Sequence, residues 1–267
     1  MMVWLNGEWK EEGEAAVAAS DGAFLRGEGV FETMLSLKGS VFQLERHWER
    51  LTSGCERFEF LVPGLKEARS ILGELFEKNE FGDSERVRVR VTRSRESLLF
   101  ATQVSPAYPD QLHLQSTPYR RNEQGALVGV KAISYGENAI ALAEGKKVGA
   151  DEVLFANTKG DWCEGAWSNV FAVEKGCVLT PSLLSGCLPG VTREVVMELA
   201  QEAGMEVVES ARPVASLCEV DEIFLTSSLL GVGAVRQFDG HAFPEGPVTA
   251  RLAQLLDERE SASLGLG

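Results

Sequence analysis

Apolar and polar residues alternate along the chain in patterns that predict both strands and helices. The chain opens with Asn6-Gly7 between apolar residues, which is the strongest short signal of a tight β-hairpin. Residues 85–92 alternate arginine with valine, as a half-buried strand does, whereas longer stretches repeat apolar residues every three or four positions, as amphipathic helices do. The elements predicted after the hairpin are strands over 30–37 and 40–44, helices over 44–58 and 64–79, and the strand over 85–92. Hairpins combined with helices predict an α+β arrangement for the first half.

A polar stretch divides the chain into two predicted domains. Residues 116–125 contain a proline, end in glycine and lack apolar periodicity, which is typical of a linker. We therefore predict an N-terminal α+β domain over 1–118, a linker over 119–125 and a C-terminal domain over 126–267. The elements predicted beyond the linker are an apolar strand containing Lys131, a helix over 137–147, strands over 152–156 and 168–173, a helix beginning after Pro189-Gly190, and a last strand over 222–226. The predicted fold class is α/β in the broad sense, a two-domain α+β protein.

Composition and charge narrow the possible functions. The net charge of -14 opposes an extended nucleic-acid surface, because a polyanion needs a basic footprint. No stretch approaches the roughly 18 apolar residues that cross a bilayer, so no membrane association is expected. The five scattered cysteines predict neither disulfides nor a metal pair, and the three separated histidines do not predict a metal site. A soluble, cytoplasmic protein without a bound metal is expected.

Lys131 lies in the mostly apolar run Val128–Ile133, where an ammonium group would be poorly solvated. A desolvated lysine has a lowered pKa and a reactive free amine, which a Schiff-base lysine needs. An ordinary strand lysine, whose stem covers apolar surface while its amine reaches water, is the alternative. The run alone leaves both possibilities open.

Other residues could hold an anionic or aromatic ligand. Glu164 follows an apolar stretch and could hold a pyridinium nitrogen, or could be a solvent-facing turn residue. Thr192 could bind phosphate at the start of a helix, or could be an ordinary N-cap. Ser227 and Ser228 add hydroxyls after a strand. Arg50 could supply a positive charge for a phosphate, or could be solvated as most helix arginines are.

Taken in order, several blocks of sequence resemble the class IV aminotransferase family. These are the fold-type IV pyridoxal 5'-phosphate (PLP) enzymes, which include branched-chain and D-amino-acid aminotransferases and aminodeoxychorismate lyase. The blocks are Asp21–Thr33, His47–Leu51, Lys131, Gly149–Val153, Glu164–Phe171, Thr180-Pro181, Leu188–Arg193 and Asp221–Ser228. The resemblance covers nearly the whole chain, and so many ordered blocks are far more specific than any one of them.

The resemblance implies a PLP cofactor in a cleft between two domains, a small-molecule amino substrate and a homodimer. It implies that Lys131 forms the Schiff base and acts as general acid and base, and that Glu164 partners the pyridine nitrogen. The remaining implied cofactor contacts, to the phosphate or near the phenolic oxygen, are Arg50, Tyr135, Val191, Thr192, Ser227 and Ser228.

Different parts of the sequence resemble different subgroups of the family. Thr33 resembles a threonine that assists the reaction in aminodeoxychorismate lyase, which releases pyruvate and the folate precursor 4-aminobenzoate. The segment after the arginine strand lacks the glycine-rich sequence of many lyases, so a branched-chain or D-amino-acid transaminase is the alternative. A non-catalytic PLP carrier or small-ligand binder is the third possibility. The residues Arg86, Arg88 and Arg90 receive no role from the resemblance.

Overall fold

The protein folds into two compact units, each built around a β-sheet. The computed structural model describes residues 1–82 and 85–264. The first unit comprises Met1–Ala107, Val130–Tyr135 and the chain end from Ser261, and the second comprises Tyr108–Gly129 and Gly136–Glu260. The division therefore falls after Ala107 instead of near residue 118, and the segment with Lys131 belongs to the first unit.

The first unit contains an antiparallel sheet with the strand order β2-β1-β6-β5-β3-β4. Its strands are β1 (Met2–Leu5), β2 (Glu8–Glu11), β3 (Val30–Leu37), β4 (Ser40–Val41), β5 (Val87–Arg93) and β6 (Leu98–Val104), and its helices are α1 (Gly22–Arg26), α2 (Leu44–Arg57) and α3 (Leu65–Lys78). The predicted first hairpin is confirmed, since β1 and β2 pair and Asn6 and Gly7 have positive φ angles of 52° and 91°. Positive φ at both central turn residues is typical of the tight turn that Asn-Gly favours.

One face of β5 forms the core of the first unit. Its valines pack with the apolar side of α2 and α3, and Val89 and Val91 are completely buried. Strand alternation then places Arg88 and Arg90 on the opposite face, where both are half-buried. The predicted amphipathic helices and the alternating strand are thus confirmed.

The second unit contains a mixed sheet with the order β12-β11-β10-β13-β14-β7-β8-β9, with β15 beside β14. Its strands are β7 (Leu112–Arg121), β8 (Glu152–Asn157), β9 (Trp162–Gly165), β10 (Asn169–Glu174), β11 (Cys177–Pro181), β12 (Val207–Ser210), β13 (Glu222–Ser227), β14 (Gly231–Phe238) and β15 (His241–Ala242). Its helices are α4 (Gly136–Lys147), α5 (Val191–Glu202) and most of α6 (Pro247–Ser263). The strands β8, β10 and β13 are almost entirely buried and contribute to its core.

Three sequence predictions differ from the structure. The predicted linker over 119–125 begins inside β7. The pairing of β7 with β8 is irregular between Ser116 and Arg120. Pro118 lies in this stretch and has no N–H to donate to the neighbouring strand. Residues around Lys131 form a single bridge, between Val30 and Ala132, instead of a strand. The strand at 222–226 is not the last, because β14 and β15 follow it. The glycines at the start of β14 interrupt the alternation of apolar and polar residues that would predict a strand.

Candidate active site

The backbone of Lys131 is fixed to the beginning of β3 by hydrogen bonds on either side. The N–H of Phe31 donates to the carbonyl of Lys131 at 2.9 Å, and the N–H of Ile133 donates to the carbonyl of Gly29 at 2.9 Å. A side chain on Gly29 would collide with Ile133 and with the backbone of Arg93, so this close approach requires glycine. The lysine is therefore held by sheet-like pairing although it is outside the regular strands.

The side chain of Lys131 lies among aromatic rings. Its Nζ is 4.6 Å from the ring centroid of Phe31 and 6.0 Å from that of Tyr135. The two rings pack edge to face with centroids 5.2 Å apart. The ring faces attract the cationic form of the amine, and the lysine remains half-buried. The structure thus brings together the predicted residues Lys131 and Tyr135 and adds Phe31, which the sequence argument had not singled out.

Arg50 is oriented by a completely buried carboxylate. Its Nε and Nη2 each donate to one oxygen of Glu32 at 2.7 Å, which is the bidentate geometry of a strong ion pair. His47 Nδ1 lies 2.8 Å from Glu32 Oε2. Arg50 was predicted from sequence, but its partners Glu32 and His47 were missed, although both fall within the family-like blocks.

The protonation states in this cluster follow from burial and charge. Burial alone would raise the pKa of Glu32, but the adjacent Arg50 guanidinium and the His47 hydrogen bond lower it to about 2. Burial lowers the pKa of His47, and the nearby cations Arg50 and Lys131 lower it further, against the opposing effect of Glu32. At neutral pH an ionised Glu32 therefore accepts from Arg50 and from a neutral His47.

Thr33 lies on the same side of β3 as Phe31, since side chains two positions apart share a strand face. It is half-buried and pairs in register with Arg90 of β5. The structure therefore places the predicted catalytic threonine on the sheet face that also carries the ring beneath Lys131.

In the second unit, Glu164 is a strand residue held by a backbone N–H and by an arginine. Its Oε2 accepts from the N–H of Leu188 at 2.8 Å, and its Oε1 lies 3.0 Å from Nε of Arg121 in an ion pair. The side chain is only 15% exposed, which rules out the alternative of a solvent-facing turn residue. Arg121 in turn lies over the ring of Phe155, with Cζ 4.0 Å from the ring centroid. Arg121 was not predicted as a site residue, because residues 119–125 were assigned to a linker.

The N-terminus of α5 offers uncapped backbone donors. Gly190 is the N-cap, so it cannot supply a side-chain acceptor, and Val191 and Thr192 follow as buried first residues of the helix. Thr192 is therefore not the N-cap that the alternative reading assumed. A side chain on Gly190 would collide with Oδ1 of Asn169, so glycine is required there. Free N–H groups at the positive end of a helix dipole form a natural phosphate site.

Ser227 is the last residue of β13, the strand against which α5 packs, and Ser228 follows it. Both are half-buried, and the N–H of Leu230 donates to Ser227 Oγ at 3.3 Å. The preceding Thr226 has a buried hydroxyl without a hydrogen-bond partner among the described residues. This strand end therefore presents several hydroxyls, as the sequence predicted.

The predicted site residues divide between the two units. Lys131, Thr33, Arg50 and Tyr135 belong to the first unit, and Glu164, Val191, Thr192, Ser227 and Ser228 belong to the second. Their chemistry fits pyridoxal 5'-phosphate: an amine among aromatic rings, a fixed carboxylate, an oriented arginine and an uncapped helix start. The glycine that keeps the helix start open is the clearest sign of this fit, because any side chain there would collide with Asn169.

Two negative findings concern the described residues. In the ranges 1–82 and 85–264, no three His, Cys, Asp or Glu side chains are grouped as a metal ion would require. Within the same ranges, every helix is too short or too polar to span a membrane.

Comparison with known proteins shows what this chain is similar to. Aminodeoxychorismate lyase from Bacillus subtilis is 31% identical over 97% of this chain and 94% of its own length. The branched-chain aminotransferase from Thermoproteus uzoniensis superposes with a TM-score of 0.91 at 26% identity, covering 100% of this chain and 95% of that one. A hypothetical aminotransferase from Mycobacterium tuberculosis, solved in its PLP-bound form, gives a TM-score of 0.90 at 26% identity over 98% of this chain and 100% of that one.

These similarities confirm the predicted fold-type IV architecture and an enzyme that depends on pyridoxal 5'-phosphate. Relatives named as aminodeoxychorismate lyase and as branched-chain aminotransferase are both 30–31% identical to this chain, so identity alone does not separate the two activities. The family model for amino-transferase class IV matches residues 29–238. The chain belongs to the class IV aminotransferase family.

Proposed function

We propose that Lys131 holds the cofactor covalently and moves the proton at the substrate's α-carbon. The observation that carries this proposal is the position of its Nζ over Phe31 and beside Tyr135, on a backbone fixed to β3. The two rings hold the amine in a fixed position, and its uncharged form is the nucleophile and base. When bound, the cofactor supplies an electron sink for the negative charge that develops at the α-carbon.

We propose that the other predicted residues bind and orient the cofactor. Glu164, fixed by Leu188 and Arg121, would hold a proton at the pyridine nitrogen. The first N–H groups of α5, at Val191 and Thr192, would bind the phosphate together with Arg50. The remaining proposed contacts are Tyr135, Ser227 and Ser228.

We propose aminodeoxychorismate lyase as the specific activity. Thr33 supports it, because this half-buried residue lies on the sheet face that carries Phe31, the ring next to Lys131 Nζ. The reaction removes the proton from the amine-bearing carbon and breaks one carbon–oxygen bond, which forms the aromatic ring of 4-aminobenzoate. The enolpyruvate that leaves takes up a proton and becomes pyruvate. The reaction needs no amino acceptor, which separates it from transamination.

The test measures pyruvate release from aminodeoxychorismate in the absence of any 2-oxo acid. We expect release by the wild-type protein, a large loss in Thr33→Val, and none in Lys131→Ala. Transfer of amino groups from L- or D-amino acids to 2-oxoglutarate, without pyruvate release, would instead establish a transaminase. Full turnover by Lys131→Ala would contradict the role given to the lysine.

A second measurement tests the cofactor link by itself. The protein is mixed with pyridoxal 5'-phosphate and reduced with borohydride, and its peptides are analysed by mass spectrometry. We expect the label on Lys131, whereas Lys146 on the exposed end of α4 serves as the control amine. A labelled protein without turnover on any amine would point to the carrier or binder.

We also propose a cytoplasmic homodimer. Helix α1 exposes two large apolar side chains, Phe24 at 76% and Leu25 at 55%, which a second copy could cover. The five cysteines are all free thiols, as a reducing compartment allows. Light scattering should show a dimer for the wild-type protein and a monomer for Phe24→Glu; a monomeric wild-type protein would refute the proposal.

A further inference from the structure

The turn that follows Glu164 closes beside a second buried carboxylate, that of Glu152. Strand β8 begins with Glu152, and its pairing with β9 places Leu154 opposite Gly165. The first two residues of β8 therefore extend past the end of β9, alongside the turn between β9 and β10, residues 165–168. The N–H of Gly165 donates to the carbonyl of Ser168 at 2.7 Å, which closes this turn.

Four hydrogen-bond donors surround the Glu152 carboxylate. Its Oε1 accepts from the N–H groups of Val153 at 2.8 Å and Ala166 at 3.0 Å. Its Oε2 accepts from the N–H of Trp167 at 3.0 Å and from Ser168 Oγ at 3.1 Å. Burial raises the pKa of Glu152, whereas the four donors favour the ionised form and oppose that rise. Three of the four donors belong to the turn, so the carboxylate fixes the turn backbone.

Two further features hold the turn in this conformation. Nδ2 of the buried Asn138, in α4, donates to the carbonyl of Ala166 at 2.6 Å. A side chain on Gly165 would collide with Ser168 Oγ and crowd the Glu152 carboxylate, so glycine lets the turn close on that carboxylate. The turn is therefore fixed from β8 on one side and from α4 on the other.

The turn joins two residues that hold Leu188 by its backbone. Asn169, after the turn, donates from Nδ2 to the carbonyl of Leu188 at 2.9 Å. Glu164, before the turn, accepts from the N–H of Leu188 at 2.8 Å. The spacing of Glu164 and Asn169 is set by the turn between them, so a change in the turn would alter both hydrogen bonds.

We propose that Glu152 is a positioning residue for Glu164. By fixing the β9–β10 turn, it keeps the Glu164 carboxylate where that group can hold a proton at the pyridine nitrogen. The inference rests on the proposed function of Glu164, and Glu152 acts through the turn. Replacement by glutamine keeps the shape, but its amide group must face at least one backbone N–H whichever way it is turned.

The experiment loads each protein with pyridoxal 5'-phosphate that carries nitrogen-15 in its ring and follows the nitrogen signal by NMR as the pH rises. In Glu152→Gln, the pH at which half of the ring nitrogen is deprotonated should fall by about one pH unit or more, since an adjacent opposite charge shifts a pKa by about 1–3 units. Ser168→Ala removes one donor and keeps the carboxylate, so it should give a smaller change in the same direction. It decides the question if Glu152→Gln does not fold.

Glu222→Gln is the matched control. Glu222 is a buried carboxylate of the same unit, at the beginning of β13, and it accepts from the N–H groups of Val248 and Thr249 and from Thr249 Oγ1. Both glutamine variants should unfold at a lower temperature, because each leaves a buried donor without its acceptor. Only Glu152→Gln should change the titration of the ring nitrogen.

An unchanged titration in Glu152→Gln, or an equal change in Glu222→Gln, would overturn the proposal. The second result would mean that general destabilisation moves the signal. Glu164→Gln tests the proposed function separately, because it removes the charge beside the ring nitrogen. An unchanged titration in Glu164→Gln would refute the role given to Glu164, so the two failures are distinguishable.

Discussion

At the scale of single residues, Glu32 fixes the orientation of the Arg50 guanidinium. Its carboxylate is completely buried and receives three short contacts, two from Arg50 and one from His47. Nothing in the local sequence reveals this cluster, because its members are 15 and 18 positions from Glu32 and belong to different elements. Arg50 could be predicted from the family-like block, whereas its partners depend on the packing of α2 against β3.

Glu32→Gln should destabilise the protein by about 3 kcal/mol, because it leaves the Arg50 charge buried without its counter-ion. Urea unfolding measures the change in free energy. Glu45→Gln, which breaks the exposed pair with Arg69, is the matched control and should have little effect. Equal stability of the two variants would contradict the assigned role of Glu32.

The same carboxylate predicts a dependence on pH. Its pKa in the folded state, about 2, lies below the ordinary value near 4.5, so folding favours the ionised form. This contribution is complete above about pH 4.5 and is lost as the pH falls towards about 2. The stability difference between wild-type protein and Glu32→Gln should therefore shrink over that range. A difference that stays constant between pH 5 and about 2.5 would contradict the lowered pKa.

Among the elements, helix α5 has an N-terminus that no side chain caps. Gly190→Ala should weaken cofactor binding and cost about 1–3 kcal/mol of stability, because the new methyl group collides with Asn169. Gly73→Ala in α3 is the control: nothing lies within 4 Å of its added Cβ, and it should stabilise the helix by about 0.5–1 kcal/mol. Thermal unfolding and cofactor titration measure both effects. A harmless Gly190→Ala would show that the helix start tolerates a side chain.

Elements with strong local signals were predictable, and those defined by long-range pairing were not. Helices α2 and α3 and the Asn6-Gly7 hairpin follow from spacing and turn residues alone. The strand β7 was missed because Pro118 is a linker signal unless β8 and β14 are known to flank it. Arg121, at the end of that strand, was missed as a partner of Glu164 for the same reason.

For the whole molecule, the five thiols should react at different rates. Burial raises the pKa of Cys55 to about 12 and also raises the pKa values of Cys163 and Cys187, so these three should resist iodoacetamide in the native protein. The less buried Cys177 and Cys218 should be alkylated first. Mass spectrometry of the peptides measures the order, and unfolded protein, in which all five react, is the control. Early labelling of Cys163 would contradict its burial.

The path of the chain has a consequence for biosynthesis. The segment Val130–Tyr135 belongs to the first unit, yet residues of the second unit come before and after it. About half of the polypeptide must therefore be synthesised before β3 can form its backbone hydrogen bond with Lys131. The first unit cannot fold completely as an independent N-terminal product, and a nascent chain stalled before residue 130 would lack Lys131 even if its sheet had formed.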